Sequence, residues 1–467
     1  MLNYQIKIGL CPLRRDVSER PAGTPFNRFS AEERAKSAVS FLKEHFSDEN
    51  VSFITTEEIG EAGLVYDRRT AEKAVRLYKR EKVDALFFIN CNFGNEEAAA
   101  DVAKAVGKPV LLWAPLDEEY LPDGTRTTDS QCGLFGVSRQ MQRLHVPFSH
   151  IPACRITSPV FEEKFRLFVR VACMVKNFSG MRIGLVGGRP APFYSVIWNE
   201  GELLEKFGIR IIPVNLAVFA QRMKAATESD SEEKKKIAAF IRENYTPDDA
   251  SLPFVEKMAA MALAYKGLFE EFDLDVIAAE CWTATPLLFD SLAPCTVFGL
   301  LNDMGYLLAC ESDVHCAITM ALLKCATLGK GKPLFGEFTV RHPEKENAEL
   351  LWHCGQFPLS QKAETGTDST ARIVNQRSWF RAKDGTYTVA RFDREESDYK
   401  LLPLLCRTTT GPKTSGTYLW AEFENLQAVE EKIMFGPYIH HFVEIAGDVR
   451  TELSEFCRTV GITQDKL

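Results

Sequence analysis

The chain has 467 residues, 45% of them hydrophobic and 26% charged, and carries a net charge of -8. That length exceeds a single core and suggests about three domains at roughly 150 residues each, while the acidic balance argues against a general nucleic-acid surface, which needs a basic face. Thirteen cysteines, odd in number, scattered and without a C-x-x-C pair, argue against a disulfide framework or zinc knuckle; most are expected to be buried thiols.

The N-terminus, "MLNYQIKIGLCPLRRDV", enters a strand-like pattern at once, without the long apolar core of a secretory leader. No apolar run reaches the ~18–20 residues of a membrane helix. The expectation is a cytoplasmic protein with neither a membrane nor a nucleic acid as partner.

Strand and helix signals alternate through the first third. "QIKIGLCPL", "VSFIT", "VDALFFINC", "PVLLWAP" and "FSHIPACRI" read as strands. Helical spacing covers 30–45, 69–82 and 95–106, and a further helix starts near 131. Ser30, with Glu33 three residues on, has the pattern of a capping box. Continuous apolar strands alternating with helices predict a parallel sheet covered on both faces.

The pattern restarts with a helix over 161–178 and the strand-to-turn segment "MRIGLVGGRPAPF". This turn is neither G-x-G-x-x-G nor a Walker A loop. A loop at a strand's C-terminal end, near substrate, is the better reading. "IRIIPVN", a long helical stretch to 272, "LDVIAAEC", "CTVFGLL" and "YLLACESD" follow, then a helix. From about 334 the period changes to short alternating segments, from "PLFGEFTVRH" to "YIHHFVEIAG", and "DVRTELSEFCRTVGI" closes the chain as a helix. The expected fold is α/β: two Rossmann-like, doubly wound units over 1–178 and 179–345, then a β-rich antiparallel barrel with a final helix over 346–467.

Several polar residues interrupt apolar segments. Glu280 ends "DVIAAE" and is followed by Trp282; Glu311 and Asp313 lie between "YLLAC" and an apolar helix. An unpaired carboxylate there is costly, so Glu280 needs either a salt bridge or a cation. Asp313 falls in a helix's first turn, where the dipole alone stabilises a negative charge. His353 lies in "LLWHCG", and His440 and His441 are adjacent on a strand, where only one of two neighbours easily faces a given site. His315 is expected on the helix, outside the site. Two carboxylates with one or two imidazoles suit Mn²⁺ or Mg²⁺ better than structural zinc.

"AAECWTATP", "PCTVFGLLNDMGYLLACESDVHCAITMALL", "LLWHCGQFPLS" and "HHFVEIAGD", in that order, resemble the L-fucose isomerase-like and L-arabinose isomerase-like sugar isomerases, most closely over about 270–360. The resemblance implies three domains and a Mn²⁺-dependent aldose–ketose isomerase, with Mg²⁺ or Co²⁺ as alternatives. The substrate would be a free sugar such as L-fucose, D-arabinose or a related aldose. It also implies a homo-oligomer, hexamer or trimer, with the site completed by a neighbouring subunit.

Carried over by position, Glu280 and Asp313 match the metal-binding and catalytic carboxylates, Asp313 within an "ESD" similar to the fucose enzymes' "END". His441 (or His440) matches the late histidine ligand, and His353 resembles an extra ligand of the arabinose enzymes. Trp282, Glu311 and His440 fall to the substrate side, Trp282 packing on a sugar face or else in the core, Glu311 orienting a ligand. Two other readings stay open: a sugar-binding or regulatory protein of the same fold without turnover, and a metal-dependent sugar epimerase.

Overall fold

Five apolar segments from the first third pair as a parallel sheet in the computed structural model, which describes residues 1–16, 31–118 and 120–467. Their order is Val51–Thr55, Ile6–Leu13, Ala85–Asn90, Val110–Trp113, Phe148–His150. Ala85–Asn90 and Val110–Trp113 are buried at every position, as strands covered on both faces must be. Asp67 and Thr70 form a capping box at the start of helix Arg68–Glu81. Asn95 caps Glu96–Val106, which ends at a left-handed Gly107.

The helix expected over 30–45 is Ala31–Phe46; its expected cap, Ser30, lies outside the described residues. The strand expected over 148–156 is cut to Phe148–His150, because Pro152 has no N–H to give to a ladder. Phe87, Trp113, Phe161 and Phe165 fill the core with ring centroids 4.8 to 6.2 Å apart. This compact unit takes in residues 4–176 and 458–460.

Residues 177–457, with 1–3 and 461–467, form the other compact unit, which contains two sheets. The first is parallel, in the order Leu308–Ala309, Val276–Ala279, Arg182–Val186, Arg210–Val214. The long helical stretch expected to 272 is three helices, Leu216–Glu228, Glu232–Asn244 and Val255–Phe272. Ser231 caps the second, and Thr246–Pro247 leaves it extended to pair with Arg372–Val374. Pro247 forbids a continuous helix there.

The second sheet is mixed and has ten strands. Within it, Asp398–Thr409, Thr386–Glu395, His441–Ala446, Leu334–Arg341, Ala348–His353 and Thr417–Phe423 pair antiparallel in that order. Asp398–Thr409 pairs again with Thr417–Phe423, closing the ring. Leu334–Arg341 belongs to this ring and shares it with the strands beyond 346.

Helix Val314–Ala326 is buried at every residue. It touches the parallel strands Val276–Ala279 and Leu308–Ala309 and also the ring strands Thr386–Glu395 and His441–Ala446. A predominantly apolar helix belongs in such a place; its His315 and Lys324 are buried with partners, Asp393 and the Gly331 carbonyl. Its N-terminus therefore opens where the parallel sheet and the ring meet. Among the described residues, no helix is long and apolar enough to cross a membrane.

Candidate functional site

The strand Leu308–Ala309 runs into a tight turn, Cys310–Ser312, before that buried helix. Glu311 and Ser312 sit at φ 57° and 56°, a left-handed conformation that costs a non-glycine residue roughly 1 kcal/mol or more and is retained mostly at functional sites. Ser312 Oγ donates to the Gly188 carbonyl at 3.1 Å, tying this turn to the glycine turn after Arg182–Val186. The turn aims Glu311 at a cavity, and Asp313 then starts the helix, its Oδ1 accepting from Cys316 N–H at 2.9 Å.

Glu337 and His441 stand directly opposite one another on paired ring strands, so both side chains leave the same face. Glu311, Glu337 and His441 each offer a ligand atom, all within 4.8 Å of one another. His353, at the end of Ala348–His353, brings Nε2 to 3.3 Å from Glu337 Oε1. Burial raises Glu337 above the ordinary carboxylate value, although the nearby His353 and His441 pull it down.

His441 is fully buried, and a chain of charges orients its ring. Nδ1 faces Asp313 Oδ2 at 2.9 Å, which assigns the proton to that nitrogen and turns Nε2 toward Glu311 Oε2, 3.0 Å away. Asp313 Oδ2 also accepts from Arg391 Nη1 at 2.9 Å, and Nη1 reaches the His441 carbonyl at 3.0 Å. Arg391 Nε donates to Asp393 at 2.6 Å, and Asp393 pairs with His315 at 3.0 Å. Burial alone would raise Asp313, but the Arg391 charge and the His441 hydrogen bond hold it well below the usual carboxylate range. Burial likewise opposes a charge on His441, yet Asp313 and Glu311 lift it above the ordinary imidazole value.

Among the described residues, Glu311 Oε2, His441 Nε2 and His353 Nε2 are buried without a hydrogen-bond partner. His441 Nε2 faces Glu311 Oε2 and His353 Nε2 faces Glu337 Oε1, so a positive charge there, on the imidazoles or on a cation held among these groups, balances the carboxylates. Two carboxylates and two imidazoles are a donor set for a hard or borderline divalent cation.

Of the residues singled out in the sequence, His441 and Glu311 join this group and His353 borders it. Asp313 lies one step behind, its oxygens taken by Cys316, Arg391 and His441. His315, expected outside the site, is one step further back through Asp393. Glu280 does not join. Its Oε1 accepts from Thr283 N–H at 2.5 Å, Thr283 Oγ1 at 2.6 Å and Ala284 N–H at 3.0 Å. Its Oε2 accepts from Thr285 N–H at 2.8 Å and Oγ1 at 2.5 Å. Burial opposes its charge, but these threonine hydrogen bonds lower Glu280 below the ordinary value. The carboxylate thus closes the start of the short helix Ala284–Leu288. Gly187, at φ 76°, leaves it room, since a Cβ there would stand 2.9 Å from Glu280 Cβ.

The donors open onto a cavity of about 640 Å³, a size suited to a small ligand. Phe193, Trp282, Trp352, Trp379, Arg377 and His440 line its wall. Trp282 is 45% exposed and packs edge-on against Phe193 of the glycine-turn loop at 5.6 Å, so it is a wall residue rather than core. His440 is exposed on the wall, while its neighbour His441 points inward. Arg377 is the only lysine or arginine on this wall and has no acidic partner among the described residues. Glu337, Arg391 and Arg377 were not singled out in the sequence. The one local signal for the first two was a charge inside an apolar strand, in "LFGEF" and "TVARF".

Residues 24–179 match the model for the N-terminal domain of the fucose/sulfoquinovose isomerases. The chain is similar to the sulfoquinovose isomerase of Priestia aryabhattai, 24% identical over 398 residues, covering 82% of this chain and 85% of that protein. It is also similar to the sulfoquinovose isomerases of Alkalicoccus urumqiensis, 26% identical over 80% of this chain and 84% of that one, and of Clostridium sp. (strain MSTE9), 26% identical over 79% and 83%.

Proposed function

Because the chain belongs to the fucose isomerase-like sugar isomerase superfamily, we propose that it is a metal-dependent aldose–ketose isomerase acting on an aldose with an anionic group, sulfoquinovose being the first candidate. It is an isomerase interconverting aldose and ketose sugars; the substrate and the metal are our reading. The observation that supports it most is the group of Glu311, Glu337 and His441 opening onto a cavity where, among the described residues, Arg377 is the one cation without an acidic partner.

Glu311, Glu337, His353 and His441 would hold the cation, with Mn²⁺ the first candidate. When bound, it polarises the carbonyl and adjacent hydroxyl of the open-chain sugar and stabilises the negative charge that develops there. The protein's own groups do the rest. One of Glu311 and Glu337 takes the proton from C2 and returns it to C1, and the other moves the hydroxyl proton. Asp313, braced by Arg391, holds the His441 ring in one orientation, as a carboxylate behind a histidine ligand does. Trp282 and Trp379 offer flat apolar surface to the sugar. Arg377 offers a planar pair of donors to a sulfonate at the far end. The same reading carries a cytoplasmic location and a homo-oligomeric state.

A panel of sulfoquinovose, D-glucose, L-fucose and D-arabinose with added Mn²⁺, read by ketose formation, tests it. Sulfoquinovose is expected to be turned over best. Arg377→Leu is expected to lower its kcat/KM by about 10–10²-fold, the loss of a charged hydrogen bond, while sparing the neutral sugars. Equal turnover of neutral and sulfonated sugars contradicts the anionic substrate, and no ketose from any sugar contradicts this choice of substrates altogether.

A further inference from the structure

None of the thirteen cysteines is in a disulfide, and four of them gather beside the cavity. Cys281, Cys295 and Cys354 line it, and Cys310 is buried nearby. Proton transfer within the sugar uses none of them. One pair is set apart by geometry. Cys295 opens helix Cys295–Met304, Cys354 follows strand Ala348–His353, and their Sγ atoms are 3.1 Å apart. The two backbones are close enough that a Cβ on Gly355 would stand 3.2 Å from Cys295 Cβ. A disulfide bond is about 2.05 Å long, so the sulfurs are about 1 Å from bonding distance. Exposure sets the order of events: Cys354 is half-buried on the cavity wall, whereas Cys295 and Cys310 are buried.

We propose that Cys295 and Cys354 are an oxidation-sensitive thiol pair that closes to a disulfide under peroxide and switches the isomerase off. The Cys354 thiol gives up its proton and attacks hydrogen peroxide as the thiolate; an S–O bond forms, the O–O bond breaks, and the leaving hydroxide takes up that proton as water, giving a sulfenic acid. Cys295 sulfur then attacks Cys354 sulfur; the S–S bond forms, the S–O bond breaks, and a second water leaves. In sum two thiols and one peroxide become a disulfide and two waters, and a dithiol reductant reverses the change.

The link to activity is one residue away. Cys354 Sγ lies 3.4 Å from His353 Nδ1, so drawing it toward Cys295 removes the contact behind that imidazole. Losing a group behind a metal-binding histidine costs about 10–100-fold.

The test uses the full-length, Mn²⁺-loaded protein treated with hydrogen peroxide, digested without reduction and analysed by mass spectrometry. The expected product is one linked peptide pair containing Cys295 and Cys354, two hydrogens lighter than its parts. It should be absent from Cys295→Ser and Cys354→Ser. Isomerase activity is expected to fall about 10-fold or more with the link and to return with dithiothreitol. Absence of the linked pair in the unaltered protein overturns the proposal, as does a link from Cys354 to Cys310, or a link that forms with activity unchanged. The mass readout is independent of which sugar is turned over, so it separates failure of this inference from failure of the substrate assignment.

Discussion

Glu311→Gln and Glu337→Gln are each expected to lower kcat by about 10²–10⁴-fold, the worth of a positioned proton-transfer group, while leaving the protein folded. Glutamine keeps the size of the side chain and its capacity to hydrogen-bond. It loses the charge that faces His441 Nε2 and His353 Nε2 and the ability to accept a proton at neutral pH. Glu280→Gln separates this account from one in which Glu280 carries the chemistry. Its five hydrogen bonds all close its own turn, so its loss should appear in stability, by about 1–3 kcal/mol, before it appears in turnover. Ketose formation in added Mn²⁺, with circular dichroism as the check on folding, gives the comparison. Turnover near normal in Glu311→Gln and lost in Glu280→Gln would reverse the assignment.

The second large effect is structural. Arg391→Met is expected to destabilise the protein by about 3–5 kcal/mol, the range for breaking a buried ion pair from one side. Arg391 is fully buried between Asp313 and Asp393. A methionine fills much of its volume but leaves two carboxylates without a cation in a dry interior. The His441 ring loses the group that braces Asp313, so residual activity should fall as well. Arg391→Lys is expected to recover only part of the loss, since one ammonium cannot span both acids and the His441 carbonyl as a guanidinium fork does. The midpoint of urea unfolding measures this, and a change within about 1 kcal/mol for Arg391→Met would contradict the network's role.

The α/β class was legible because apolar period and helix caps agree. Segments such as "ALFFIN", with no polar residue before the last, have one stable use, as covered parallel strands. The barrel strands were legible as alternating segments, but their closure was not, since it depends on Asp398–Thr409 pairing at both edges, a long-range fact with no local mark.

The site was half legible. An acid beside a helix start and a pair of histidines stand out against apolar neighbours, so Glu311, Asp313 and His441 drew notice. Which acid faces the cavity turns on backbone conformation at 311 and 312, and the left-handed turn there places Glu311, not Asp313, forward. Glu337 was hidden because an acid in an alternating strand ordinarily faces solvent; it turns inward only through its register with His441. Arg391 was hidden for the same reason. Glu280 drew notice for sound cause, as a buried carboxylate needing partners, and it finds them in Thr283 and Thr285, two threonines that lay in plain view in "ECWTAT".

Crystals grown with Mn²⁺ and measured at the manganese absorption edge put the central claim to the most direct trial. A single anomalous peak enclosed by Glu311, Glu337, His353 and His441 is the predicted result. A peak on the Glu280 carboxylate, or none within reach of Glu311 and His441, would contradict it.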